Sequence, residues 1–394
     1  MASDREAGRM NGYRIFSIID AIDYAREQGG LKGTLQAGEI GDGNLNLVFK
    51  VWEEGRSRGV IVKQALPFIR CVGESWPLTR DRARIEAEVL LAQGTHCPEH
   101  VVKVLHHDPA LSVMLLEDLS SHRVWRRALL EGEPCPGAAT RLGHYLARVH
   151  YYSSDFHLSS RAKRAALVKF INPELCAITE AVFFSDPYRD HERNNIDPAI
   201  RDEAGRLWAD EALRARVAAL KHDFQSRTEA LLHGDLHTGS VMVTGDSLKV
   251  IDGEFGGYGP MGFDLGSVIG NLLLNGCGRP GRETRQRRVD DILALWCVFH
   301  REFAQLAAQG PDPVLAEPCY IEAFLRRVWQ DSLGYAGTEM IRRTIGIAHV
   351  ADLDGIEDPA VRARSQRQAL ALGRRLVLEA GQLGPADLTA LAAG

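Results

Sequence analysis

The sequence predicts an α+β fold in two lobes, a small β-rich N-terminal lobe and a larger, mainly helical C-terminal lobe. Three observations carry this. Residues 39–118 hold several short alternating apolar runs around one helical run. After Ser120 the helical period dominates. A chain of 394 residues also has room for two or three units of ~150 residues. The expected division is an N-terminal lobe over 1–118 and a C-terminal lobe over 119–394.

Taken in order, Ile18–Gln28 has helical spacing, and Gly29-Gly30 follows as a stop signal. EIGDGNLNLVFKVW (39–52) is a glycine turn leading into a strand, and Gly59–Leu66 is a second strand. Arg80–Ala92 reads as an amphipathic helix. HVVKVLHHDPALSVMLLEDLS adds two strands, the second ending near Glu117. Helices are expected over Ala138–Val149, Ala199–Leu220, Asp290–Ala308, Tyr320–Trp329, Glu339–His349 and Ala360–Leu376, with short β pieces inside 241–252. Gly132–Gly137, Asp186–Asn195 and Gly276–Gly281 read as surface loops.

Composition narrows the class. Lys plus Arg is 47 and Asp plus Glu is 52, a formal charge of −5 that gives no electrostatic footprint for nucleic acid or anionic membrane. No run of about 18 apolar residues offers a transmembrane helix, and the N-terminus has no secretory h-region. Seven scattered cysteines without a CxxC pair suit reduced thiols, hence a soluble, cytoplasmic protein.

Four places carry chemistry. Gly41–Asn46 lies before a strand, where glycines let backbone N–H groups approach phosphate oxygens; an ordinary hairpin turn is the competing reading. Lys63 ends an apolar strand and suits neutralising a nucleotide's phosphates, with Glu86 or Glu88 as a carboxylate partner. The strongest signal is LLHGDLHTGSVMVT (231–244) followed by LKVIDGEFGGYGPMGFDLG (248–266). Asp235 sits in a turn between apolar runs, and Asp252 and Glu254 end a strand 17 residues later. That layout is similar to a kinase catalytic loop followed by a metal-binding loop, one carboxylate accepting the hydroxyl proton and the others holding Mg²⁺. Where such loops carry an asparagine ligand this chain has Ser240, and Glu254 would take over the coordination. A competing chemistry is a metal-dependent phosphohydrolase built on His233, Asp235 and His237. A third is a nucleotide-binding protein without turnover, against which all three acids and Lys63 speak. The fourth place is EMIRRTIGIAHVADLDGI (339–356). Its adjacent arginines stand ~100° apart on a helix, so one is expected at a pocket while the other pairs elsewhere or is solvated.

These stretches, together with KQALPFIRCVGESWPLTRDRARIEAE, EDLSSHRVWR, FINPELCAITE and DPYRDHERNN, resemble the 5-methylthioribose kinases, sugar kinases of the aminoglycoside-phosphotransferase-like, protein-kinase-like fold. The likeness runs from about residue 39 to 356. It implies ATP-dependent phosphorylation of the anomeric hydroxyl of 5-methylthioribose in methionine salvage, by a homodimer; another small hydroxylated acceptor is the alternative. By matching motif, Asn44 and Lys63 would contact ATP, and Glu117, Asp118 and Leu119 would hold the adenine edge. Asp235 would be general base and substrate ligand, and Asp252 and Glu254 would bind Mg²⁺ and phosphates, with Gly253 between them. Arg342 would reach the substrate or the transferring phosphate beside Arg343. Gly73–Arg80, holding Trp76, would be a mobile loop near the nucleotide. The family's usual metal loop has proline where this chain has Gly253.

Overall fold

The structure is a computed structural model that describes residues 12–41, 45–55, 58–70, 73–279 and 281–393. The chain forms two compact units. One comprises Met1–His122 and takes in Ile251–Phe255; the other comprises Arg123–Val250 and Gly256–Gly394.

The first unit opens with helix α1 (Ile18–Gly29), whose Ser17 and Asp20 cap each other's backbone in a capping box. Strands β1 (Leu35–Glu39), β2 (Asn46–Glu53) and β3 (Gly59–Ala65) follow, then the short pair β4 (Phe68–Ile69) and β5 (Gly73–Pro77). Helix α2 (Arg82–His96) precedes β6 (Val104–Asp108) and β7 (Val113–Glu117). The main sheet is antiparallel in the order β1-β2-β3-β7-β6. Val60 and Val62 of β3 pack with Phe49, Val51, Val113, Leu115 and the alanines of α1. The two-residue period of a strand then turns Lys63 to the opposite face, where Glu86 of α2 meets it. Strand β1 was not legible, since its text LQAGE lacks a β-branched run. Residues 73–77, expected as loop, pair with β4 as a strand.

The second unit contains β8 (Arg123–Val124) and helices α3 (Trp125–Glu131), α4 (Ala138–Ser153), α5 (Ser160–Lys169), α6 (Pro173–Phe184), α7 (Arg201–Ala209) and α8 (Glu211–Ser226). Next come β9 (Ala230–Leu232), β10 (Val241–Val243), β11 (Leu248–Val250) and β12 (Gly257–Gly259), paired as β11-β10-β8 and β12-β9. Helices α9 (Gly262–Gly278), α10 (Arg282–Ala307), α11 (Pro318–Ile345), α12 (Ala351–Asp354), α13 (Pro359–Glu379) and α14 (Leu388–Ala393) complete it. Among the described residues no helix is long and apolar enough to cross a membrane.

Three expectations are corrected. The run 199–220 is two helices, because Asp210 leaves helical geometry and its side chain accepts the Leu213 N–H to start α8. The runs 320–329 and 339–349 belong mostly to one helix, α11, which ends at Ile345 and carries Gly334 and Gly337 in its interior. The expected surface loops hold in part: Gly132–Gly137 and 189–195 lie at the surface, whereas Gly276–Gly278 are buried turns of α9 and Asp186 is only 2% exposed.

Helix α9 sets up the site. Gly262, Gly266 and Gly270 recur every four residues, on one helix face, and lie against α11. A β-carbon on Gly266 would sit 2.6 Å from the Ser332 carbonyl oxygen, and one on Gly270 would sit 2.9 Å from Cβ of Glu339. Only glycine permits backbones that close, and the approach is what brings Glu339 alongside Asn271.

Candidate active site

In the first unit a cluster of charges is built on β3, α2 and the returning segment 251–255. Lys63 Nζ lies 2.7 Å from Glu86 and 2.6 Å from Asp252. Glu88 instead pairs with Arg84, one turn back along α2. Glu254 accepts the Asn46 amide on both carboxylate oxygens, at 3.0 and 3.1 Å, and lies 3.1 Å from Arg82. Arg82 is fully buried and also donates to the carbonyls of Leu45, Leu66 and Thr79. Asp252 is the half-exposed acid, at 48%, and its φ of +65° is left-handed, a conformation aspartate adopts more readily than most residues. Gly253 is packed on α2: a β-carbon there would lie 3.1 Å from Val89. The three acids outnumber the two bases. Burial works against the Lys63 charge, yet Asp252, Glu86 and Glu254 together raise its pKa above the ordinary value. Burial pushes Glu86 up despite Lys63 beside it.

In the second unit the loop after β9 presents Asp235. Asp264, at the start of α9 and 1% exposed, accepts the His233 and Gly234 N–H groups at 2.8 and 3.0 Å and faces His150 at 3.3 Å. Burial opposes its charge, but His150 and His233 hold its carboxyl below the usual range. We expect Asp264→Asn to destabilise the protein by about 1.5–3 kcal/mol. Because the native pKa is depressed, that contribution is full above ~pH 4 and lost as pH falls further, so the gap between wild type and variant in urea melts should close at acid pH.

Asp235 is part-buried and gripped from α11. Nη2 of Arg342 and Nη2 of Arg343 approach its Oδ1 at 3.2 and 3.4 Å. Both guanidiniums also bind Glu339, which is 0% exposed: Arg343 Nε donates to Oε1 at 2.8 Å and Arg342 Nε donates to Oε2. Asn271 donates to Glu339 at 2.7 Å and accepts from Arg126 at 2.6 Å, and Arg126 Nε lies 3.2 Å from Asp352. Arg342 further stacks 3.7 Å over the Phe183 ring. Burial would raise the Asp235 pKa, but His237, Arg343 and Arg342 hold it well below the usual range. Both arginines therefore turn to one carboxylate, against the expectation that neighbours on a helix must diverge. Their side chains are long, and a shared Glu339 one turn back gathers both.

The structure brings Lys63, Glu86, Asp252 and Glu254 together in one unit and Asp235, Arg342 and Arg343 in the other. Asn44 lies outside the described residues. Glu117 ends β7 and accepts the Lys103 N–H; Asp118 accepts from Ser120 and pairs with Lys50 at 3.2 Å, and the Leu119 carbonyl accepts the His122 N–H. Ser240 is a loop staple: its Oγ accepts the His237 N–H at 2.9 Å and lies 3.2 Å from the Asp235 carbonyl. The transition-metal arrangement fails locally, since Nδ1 of His233 accepts the Asp235 N–H and Nδ1 of His237 accepts two more backbone N–H groups. Sequence reasoning missed Asn46, Arg82, Arg126, Asp264 and Glu339. Glu339 had a signal, a charge with partners at i+3 and i+4 on a helix otherwise turned inward; Arg82, Arg126 and Asp264, whose partners lie far along the chain, had none.

The profile of a group described as the phosphotransferase enzyme family matches residues 37–307. A protein of Pectobacterium carotovorum subsp. carotovorum (strain PC1) named methylthioribose kinase is 54% identical over 389 residues, covering 96% of this chain and 97% of the relative. One of the same name from Yersinia enterocolitica serotype O:8 / biotype 1B is also 54% identical, covering 96% and 98%.

Proposed function

This chain belongs to the methylthioribose kinases of the phosphotransferase enzyme family, and from that premise we propose how its residues share the reaction. It is a small-molecule kinase of α+β, protein-kinase-like fold that transfers the γ-phosphoryl group of ATP to 5-methylthioribose, a step of methionine salvage. The acceptor is the anomeric hydroxyl. Its oxygen forms the new bond to phosphorus, the bond from phosphorus to the bridging oxygen of ADP breaks, and the hydroxyl proton passes to Asp235. The carrying observation is the Asp235 carboxylate held by two buried arginines. With its pKa held down, Asp235 orients the hydroxyl first and takes the proton late, which suits a loose phosphoryl-transfer transition state. Arg342 and Arg343 stabilise the charge on the transferring group.

Lys63 grips the nucleotide phosphates, oriented by Glu86. Asn44 is assigned to ATP, and Glu117, Asp118 and Leu119 to the adenine edge. The hard carboxylate oxygens of Asp252 and Glu254, in a cluster with one acid in excess, fit Mg²⁺. When bound, that ion would neutralise phosphate charge. Gly253 keeps the backbone between them against α2. A reducing cytoplasm suits the six described cysteines, all free of disulfides. A homodimer is part of the same reading, carried over from the resemblance.

The test is ADP release by the purified protein. We expect turnover that requires both Mg²⁺ and methylthioribose; robust turnover of another sugar with none on methylthioribose would overturn the substrate assignment.

A further inference from the structure

His237 lies two residues beyond Asp235, and the mechanism above does not use it. Its ring is tightly specified. The backbone N–H groups of Gly239 and Ser240 both donate to Nδ1, each at 3.0 Å. A nitrogen that accepts two N–H groups presents its lone pair, so the ring proton of a neutral imidazole must sit on Nε2. Nε2 in turn lies 3.5 Å from Oδ2 of Asp235, the oxygen that the arginines leave alone. Burial lowers the His237 pKa, and Arg126 and Arg343 add to that against the pull of Asp235, so the ring is neutral at physiological pH.

We propose that His237 is a positioning residue for phosphoryl transfer, a neutral Nε2–H donor that fixes the plane of the Asp235 carboxylate. Arg342 and Arg343 hold Oδ1, and His237 steadies Oδ2. With both oxygens restrained the group cannot turn about its Cβ–Cγ bond, and the acceptor hydroxyl meets a lone pair of set direction. Without the imidazole donor the carboxylate is free to swing and take an arginine fork on both oxygens, the geometry guanidinium prefers. The hydroxyl would then lose its partner while the nucleotide groups, in the other unit, would be untouched. His237 is no proton relay, because Nε2 already carries its proton and Nδ1 is capped by two amides. This role rests on the assignment of Asp235 to the acceptor hydroxyl.

Two substitutions separate the donor from the loop staple. In His237→Asn the amide oxygen falls near the Nδ1 position and keeps the Gly239 and Ser240 bonds, while the donor toward Asp235 is lost. In His237→Gln the amide reaches the Nε2 position and restores the donor, while the staple is lost. We expect His237→Asn to melt near wild type, keep its KM for ATP and lose about 10²-fold in kcat. His237→Gln should melt lower yet recover part of that kcat. Wild-type kcat in His237→Asn, or losses in both variants that simply follow their melting temperatures, would overturn the proposal. ¹⁵N NMR of the wild-type imidazole, assigned by difference from the Asn variant, should show a neutral Nε2–H ring at pH 7; an Nδ1–H ring or an imidazolium overturns it. Asp235→Asn run alongside tells the two ideas apart: if that variant stays active the assignment of Asp235 fails, whereas the ring's tautomer is read independently.

Discussion

Asp235→Asn should lower kcat by about 10²–10⁴, the range that a positioned general base supplies, equivalent to roughly 2.7–5.5 kcal/mol on the barrier. The amide keeps an oxygen for the arginines but has no negative charge with which to draw the hydroxyl proton. The groups proposed to hold the nucleotide, Lys63, Glu86, Asp252 and Glu254, belong to the other compact unit, so the ATP dissociation constant by calorimetry should stay within about twofold of wild type, well under a single 1.4 kcal/mol decade. Glu339 still compensates the two guanidiniums, which limits the loss of stability. A variant turning over at near wild-type rate would remove Asp235 from the chemistry.

Glu339→Ala should give the largest stability loss, about 3–5 kcal/mol, because it strips a fully buried carboxylate from two buried cations. Burial opposes the Glu339 charge, but Arg342 and Arg343 hold its carboxyl below the usual range, so the pair interactions win. Left with Asp235 as their shared anion, the arginines would collapse onto it, and kcat should fall along with stability. Guanidinium melts followed by circular dichroism measure the first effect, and steady-state rates well below the melting temperature measure the second. A stability change under about 1 kcal/mol would mean that Asp235, the Ala348 carbonyl and the Phe183 ring hold the guanidiniums without Glu339.

What was legible in the sequence was local. Asp235, Asp252 and Glu254 sit in turns whose flanking apolar runs are β9, β10 and β11, so a few residues set both element and exposure. Lys63 was legible because a strand's alternation assigns it a face. Glu86 and Glu88 were not separable by pattern: they are two residues apart on α2, and only the approach of β3 selects Glu86. Glu339 depended on a helix pair whose closeness comes from three glycines in α9, and glycine-rich text reads as loop until its four-residue spacing is seen as a helix face. Arg126 and Asp264 find their partners across long sequence separations, Asn271 and His150 respectively. No local pattern encodes such pairs.

The return of Ile251–Phe255 to the first unit has a consequence for biosynthesis. At 5–20 residues per second, a ribosome that has released His122 needs roughly 7–27 s more before Phe255 follows. Throughout that interval Lys63 lacks Asp252, and Arg82 lacks the carboxylate of Glu254. Until then the two cations of the cluster have one of its three acids, Glu86, between them, and its last contacts close only after the 231–244 loop of the other unit has been made. The charge cluster around Lys63 is finished late in translation, although Asn46, Lys63, Arg82 and Glu86 are among the first of its residues to be synthesised.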